Sequence, residues 1–178
     1  MSEALAPRSL PLQISLFTFK EGLLARAAHD LCLSVEKCSA NLVAEKRVHA
    51  EIAVTSIRVD GAMENGVFQP NQLTESNRRE IEGNIRERVL SAASHPLIRF
   101  DGTLQESTPQ APTFDVQGEL EIRGVRRNLQ AQGRRQAGTL SVEFEIKPSL
   151  FGIEPFRALM GAIRVADRVK VIVKTPEF

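Results

Sequence analysis

One short stretch, RAAHDLCLSVEKC from Arg26 to Cys38, gathers a histidine, an aspartate and two cysteines. Those residue types could bind a metal, supply a thiolate nucleophile, or form an acid–base pair. On an unbroken strand Cys32 and Cys38 share a face but stand roughly 20 Å apart at ~3.3 Å per residue. A shared metal or a disulfide would need the chain to fold back at Glu36-Lys37. His29 and Cys32 fall on opposite faces of a strand, and the spacing fits no familiar zinc pattern. The plain reading is a strand carrying small buried thiols. His29 and Asp30 keep two readings: an acid–base pair, or two side chains bonding backbone at a strand corner, which has the greater weight.

Other chemistry is sparse. The chain has no G-x-S-x-G, no H-E-x-x-H, no phosphate-binding glycine loop and no dinucleotide fingerprint. His49 falls on the polar face of its strand, and His95 precedes Pro96 at a boundary. Arg123, Arg126, Arg127, Arg134 and Arg135 crowd one expected hairpin. They read first as a solvated face balanced by Glu119, Glu121, Glu143 and Glu145 across neighbouring strands. The sharper alternative is an anion site, since arginine grips carboxylate or phosphate with two donors.

The elements that must position these residues are mostly strands. In FDVQGELEI, Phe114, Val116, Gly118, Leu120 and Ile122 alternate with polar residues, as a strand with one buried face requires. LSVEFEI repeats the pattern with Leu140, Val142, Phe144 and Ile146 inward. VHAEIAV alternates through Val48, Ala50, Ile52 and Val54, and HPLIRFDGTL puts Ile98, Phe100 and Leu104 on one face. LQISLFTFK, LCLSVEK and RVKVIVK are rich in strand formers. One segment differs: Leu73 to Ala92 spaces Ile81, Ile85 and Val89 four apart, which predicts a helix capped by Thr74 or Asn71. Gly83 inside it costs about 1 kcal/mol against alanine, so the helix should depend on docking.

The architecture expected is all-β: one antiparallel barrel of roughly eight strands with a helical insertion at about 73–92, filling residues 1–178 as one domain. A sheet of that size curls and closes, which removes its edges. At 178 residues and 42% hydrophobic the chain can bury a substantial core. Its net charge of +1 gives no field for nucleic acid or anionic membrane. Nine Phe with no Trp and no Tyr make the aromatic content wholly apolar, suited to a core or a greasy cavity. No segment reaches the ~18 apolar residues of a membrane span. MSEALAPRSLPLQISLF does not read as a signal peptide, so the expected location is cytoplasmic, with both cysteines reduced.

Several pieces taken together resemble the YceI-like family: HPLIRF (His95 to Phe100), VQGELEIRG (Val116 to Gly124), FGI (Phe151 to Ile153) and VADRVKVIV (Val165 to Val173). AHDLCLSV is similar to the family's H-L-x-x-S strand, with His29 on the family histidine and Asp30 intervening. GVRRNL replaces the family's ITKP stretch and brings in Arg127. The resemblance implies a lipocalin-like barrel, some members of which hold a polyisoprenoid or fatty-acyl chain, and many of which are exported. With the apolar faces above, it points to a non-enzymatic carrier of a long apolar ligand. From spacing, missing motifs and charge balance, no metal, cofactor, catalytic residue or nucleic-acid partner is expected, and a homodimer stays open. Side chains expected on the cavity wall are Phe17, Phe19, Leu31, Leu33, Ile52, Val54, Phe100, Phe114, Val142 and Phe144. His29 and Arg127 are the candidates for touching a polar headgroup. Two other readings stand beside it: a barrel packed with its own side chains, and an enzyme using His29 and Asp30.

If His29 is structural, His29→Ala should lower stability by about 1 kcal/mol through a lost hydrogen bond and leave ligand occupancy intact. Occupancy that collapses while the melting temperature holds would replace that role with a headgroup contact.

Overall fold

The computed structural model describes residues 7–21, 29–43, 46–106, 108, 110–158 and 163–177. Thirteen strand segments join in one antiparallel sheet. Three walls consist of two segments each: β1 (Arg8–Ser9) with β2 (Gln13–Glu21), β3 (Asp30–Val35) with β4 (Cys38–Val43), and β5 (Arg47–Ala53) with β6 (Ile57–Glu64). A short strand, β7 (Val67–Gln69), borders β6. The next four walls are β8 (Leu97–Gln105), β9 (Thr113–Ile122), β10 (Val125–Gln136) and β11 (Thr139–Ile146). β12 (Arg157–Ala158) is a two-residue companion of β13 (Ile163–Pro176), the last wall.

The sheet closes on itself. β13 pairs with β11 on one side and β2 on the other, and β2 pairs with β3. The β3–β6 and β4–β5 ladders are successive stretches of one long ladder, with Val35 opposite Ile57 and Cys38 opposite Ile52. Eight walls result, and the surplus segments come from kinks. At the kink between Glu36-Lys37 and Val54–Ser56, the hydroxyl of Ser56 (1% exposed) stands in for ladder bonds. It accepts the Lys37 N–H at 3.0 Å and lies 2.8 Å from the Ala53 carbonyl oxygen. A buried hydroxyl so bonded removes the penalty of the broken ladder.

The helix α1 (Glu75–Asn84) starts on a capping box between Thr74 and Asn77, and runs into one wide turn over Ile85–Val89. It lies where β6 and β8 part: β8 follows β5 only as far as Leu97 opposite Ala53, and β6 continues without it. The Val59 N–H on that free edge donates to the Glu82 carboxylate at 2.9 Å. Ile81, Ile85 and Val89 pack on a buried cluster that includes Leu33, Val54, Leu90, Phe151 and Ile153. The helix thus plugs the lower end of the barrel, where the β9–β10 turn also lies.

Gly83 has open space where a side chain would point. Gly83→Ala should therefore raise stability by roughly 0.4–1 kcal/mol, read as a higher urea midpoint with unchanged slope. A fall in the midpoint would mean that α1 sits closer to the barrel than described.

Candidate ligand-binding site

Between the plug and the upper end lies a lumen enclosing about 1180 Å³, including the part that opens to solvent. Its lining is apolar apart from Thr175. β9 and β11 supply Phe114, Val116, Leu120, Leu140, Val142, Phe144 and Ile146, the residues their alternation predicts. Leu140 to Ile146 alone spans roughly 20 Å of strand. The opposite face of the same strands carries the glutamates. Glu119 and Glu121 pair with Arg126, and Glu121 also with Arg99. Glu143 and Glu145 pair with Lys170 and Arg168 on β13 rather than with the hairpin arginines expected. A slip of one residue would bury four carboxylates, so the register is fixed.

What keeps the lumen open is the way two aromatic rings lie. The Phe100 ring rests on the paired glycines Gly102 and Gly118, where a methyl on Gly118 would meet it at 2.8 Å. The Phe114 ring covers Gly133 in the same way, opposite it on β10. Both rings lie along the wall and leave the axis free. These glycines are site residues that alternation alone misses; the signal was a glycine at an inward position opposite or near an inward phenylalanine.

Of the residues expected on the wall, Ile52, Phe100, Phe114, Val142 and Phe144 line the lumen. Phe17 and Phe19 do not. Ile14 and Leu16 take the inward positions of β2, which turns Phe17 and Phe19 outward, and the Arg168 guanidinium stacks 4.1 Å from the Phe19 ring centre. Leu33 (2% exposed) and Val54 (1%), with Leu31 beside them, belong to the plug below the lumen. They are core because α1 covers that stretch.

The opening stretch is wall. Asp30 accepts the Lys20 N–H at 2.7 Å, and His29 is half-buried just before β3. Burial pushes both thiols up, with the Asp60 charge adding to the effect at Cys32, which is the reverse of activation. Among the described residues no group of histidine, cysteine and carboxylate side chains could hold a metal. Arg127 is exposed on β10 and bonds the Arg126 carbonyl at 2.8 Å. β3 and β10 are on opposite sides of the ring of walls, so His29 and Arg127 do not form one site.

The upper end is closed by an ionic clasp. Arg135, its side chain 17% exposed, pairs with Glu106 after β8 and with Glu177 after β13. It also donates to the Ala111 carbonyl at 3.2 Å, which holds the β8–β9 connection over the end with Ala111 buried. Lys46 reaches Glu106 from the β4–β5 connection at 2.6 Å. The hydrogen bond from Lys46 holds the Glu106 carboxyl below its usual value, against some desolvation, with the Lys46 and Arg135 charges helping.

The YceI-like domain model matches residues 25–176. The chain belongs to the YceI-like family. Solved structures share its fold at low identity. BcnA of Burkholderia cenocepacia is 13% identical with a TM-score of 0.62, over 92% of this chain and 94% of that one. A polyisoprenoid-binding domain from Saccharophagus degradans, implicated in plant cell wall breakdown, is 13% identical with a TM-score of 0.62, over 96% and 98%. The Campylobacter jejuni YceI protein is 13% identical with a TM-score of 0.52, over 82% and 84%. Among curated proteins there is no significant match. The YceI-like fold of this chain thus rests on the family match and on a barrel shared at identities where only architecture persists.

Two expectations follow for this YceI-like barrel. A methyl on Gly118 meets the backbone of Asp101 and Gly102 on the next strand, so Gly118→Ala should cost about 1–3 kcal/mol. On Gly133 its three nearest contacts are all atoms of the Phe114 ring, so Gly133→Ala should fold with that ring tipped into the lumen; urea melts and a crystal structure check both. The second concerns acid. Because the Glu106 pKa is lowered, its contribution is present above the ordinary value of 4.5 and lost as pH falls through the lowered one. Glu106→Gln should therefore be less stable than wild type at neutral pH, with the gap closing as pH falls below 4.5 through the lowered pKa. A gap that is constant with pH would remove the clasp from the account.

Proposed function

We propose that this barrel binds one long apolar chain, isoprenoid or fatty-acyl, in its lumen and acts as a carrier or sequestering protein rather than a catalyst. The observation that carries this reading is the lumen itself: an apolar bore with a single hydroxyl, held open by rings laid flat on glycines. A core meant to pack on itself would fill that space, because unfilled apolar space weakens a fold with each lost contact. A bore long in one direction and narrow in the others suits a chain better than a compact molecule. The similar fold of a domain described as polyisoprenoid-binding supports the same ligand class. The pKa directions at Cys32 and Cys38 give no activated thiol to set against it.

Organic extraction of the purified protein followed by mass spectrometry should release a long-chain lipid. Val142 projects into the bore, opposite Gly133 and Val173. Val142→Trp should fold and lose the lipid; an unfolded variant with no lipid ever extracted would make this a self-packed barrel. Phe144→Ala should cost less than the roughly 3–5 kcal/mol of a packed aromatic when lipid is present. A full loss unaffected by lipid would show that the Phe144 ring packs on protein and not on ligand.

A further inference from the structure

α1 and the cluster around Phe151 cover the lower end of the barrel, and the Arg135 clasp with Ala111 spans the upper one. A chain that enters through a wall leaves both in place. Most walls are laddered along their length; β9 and β10 pair over ten residues each and β11 and β13 over eight. β10 and β11 pair over only four, Gly133–Gln136 with Thr139–Val142. Below Val142 they part, so that residues 125–132 and 143–146 face each other across a seam without a ladder. β2 and β3 also pair over four residues, Ser15–Thr18 with Leu31–Ser34, but β1 on β4 continues that contact; the parting between β6 and β8 is filled by α1. The turn Pro148–Phe151 packs on β10 and β13 along the lower part of the seam, which leaves residues 129–132 facing 143–146. The seam's lower limit is spanned by Arg123, which donates to the Gly152 carbonyl at 3.1 Å.

Arg127 is on the rim of this seam. It stands opposite Leu120 and two residues before Leu129, both lumen-lining, so its register is inward. Leu120 is 8% exposed, yet Arg127 is exposed, which follows when the neighbouring wall is missing beside it. Three other arginines of the hairpin, Arg123, Arg126 and Arg135, are engaged by a carbonyl or by carboxylates of other segments. No carboxylate among the described residues lies within ion-pair distance of Arg127, whose bond is to the adjacent carbonyl. A guanidinium at the edge of an apolar bore, with its charge unneutralised, matches the head of a chain lipid ending in a carboxylate or phosphate.

We propose that the β10–β11 seam is the ligand's entrance and that Arg127 holds an anionic headgroup there while the chain lies in the lumen. This rests on the lumen being a chain site, and the test separates the two. Palmitate and hexadecanol, and farnesyl phosphate and farnesol, are titrated into wild type, Arg127→Gln and Arg126→Gln by calorimetry. Arg127→Gln should weaken an anionic probe about tenfold or more and change its alcohol less than about twofold, and Arg126→Gln should change neither. A loss confined to palmitate or to farnesyl phosphate tells which anion the rim takes. Wild type binding none of the four probes overturns the chain site, and the seam with it. Alcohols and anions that bind alike, or that weaken alike in Arg127→Gln, overturn the headgroup role while leaving the chain site standing. Amide NMR of unmutated protein locates the entrance independently. Differences between the anion and alcohol complexes should concentrate in residues 127–131 and 143–146; differences centred on Glu106, Arg135 and Glu177 would move the entrance to the upper end.

Discussion

The Phe100 ring lies on the backbone of Gly102 and Gly118, and the character of the interior follows from that contact. A barrel of eight walls has room for packed side chains or for one slim ligand, seldom for both. Phenylalanines aimed at the axis would meet in the middle and make a solid core. Removing the Cβ atoms beneath them lets the rings turn down against the sheet, so the same residues coat the bore. The arrangement needs the glycines at paired positions on adjacent strands, and Gly102 opposite Gly118 meets that need.

Outside this coated bore, charge is arranged to stay outside. Arg99 reaches Glu51 and Glu121 on the two strands flanking its own, and Arg126 reaches Glu119 and Glu121. Exposed pairs of this kind contribute little stability each. Their effect is on register, because the alternative pairing would carry those carboxylates into an apolar interior. The Arg135 clasp is different in kind. It ties three connections that are distant in sequence, and it is far less exposed than the pairs around it.

The sequence is most readable where one face of an element is apolar and the other charged. β9 and β11 alternate without exception, so their inward residues could be named, and the stripe of Ile81, Ile85 and Val89 could only be helical. β2 is harder to read, since Ile14, Leu16, Phe17 and Phe19 put apolar side chains on both faces. The decision there falls to the closing ladder with β13 and to Arg168, which makes an outward Phe19 tolerable. Leu33 and Val54 have the right face but the wrong height: whether an inward residue lines the bore or the plug depends on where α1 docks. The kink at Ser56 and the clasp at Arg135 are long-range bonds with no local pattern to announce them.

The parting of β10 and β11 also has a mechanical meaning. Widening a fully laddered wall breaks backbone hydrogen bonds in proportion to the length opened. Along residues 125–132 and 143–146 there is no mutual ladder to break. The barrel is therefore stiffest where the ladders are long, as between β9 and β10, and more compliant along this line. A thicker or branched occupant would be accommodated by hinging about the four-residue pairing above it, with the rest of the sheet unchanged in register.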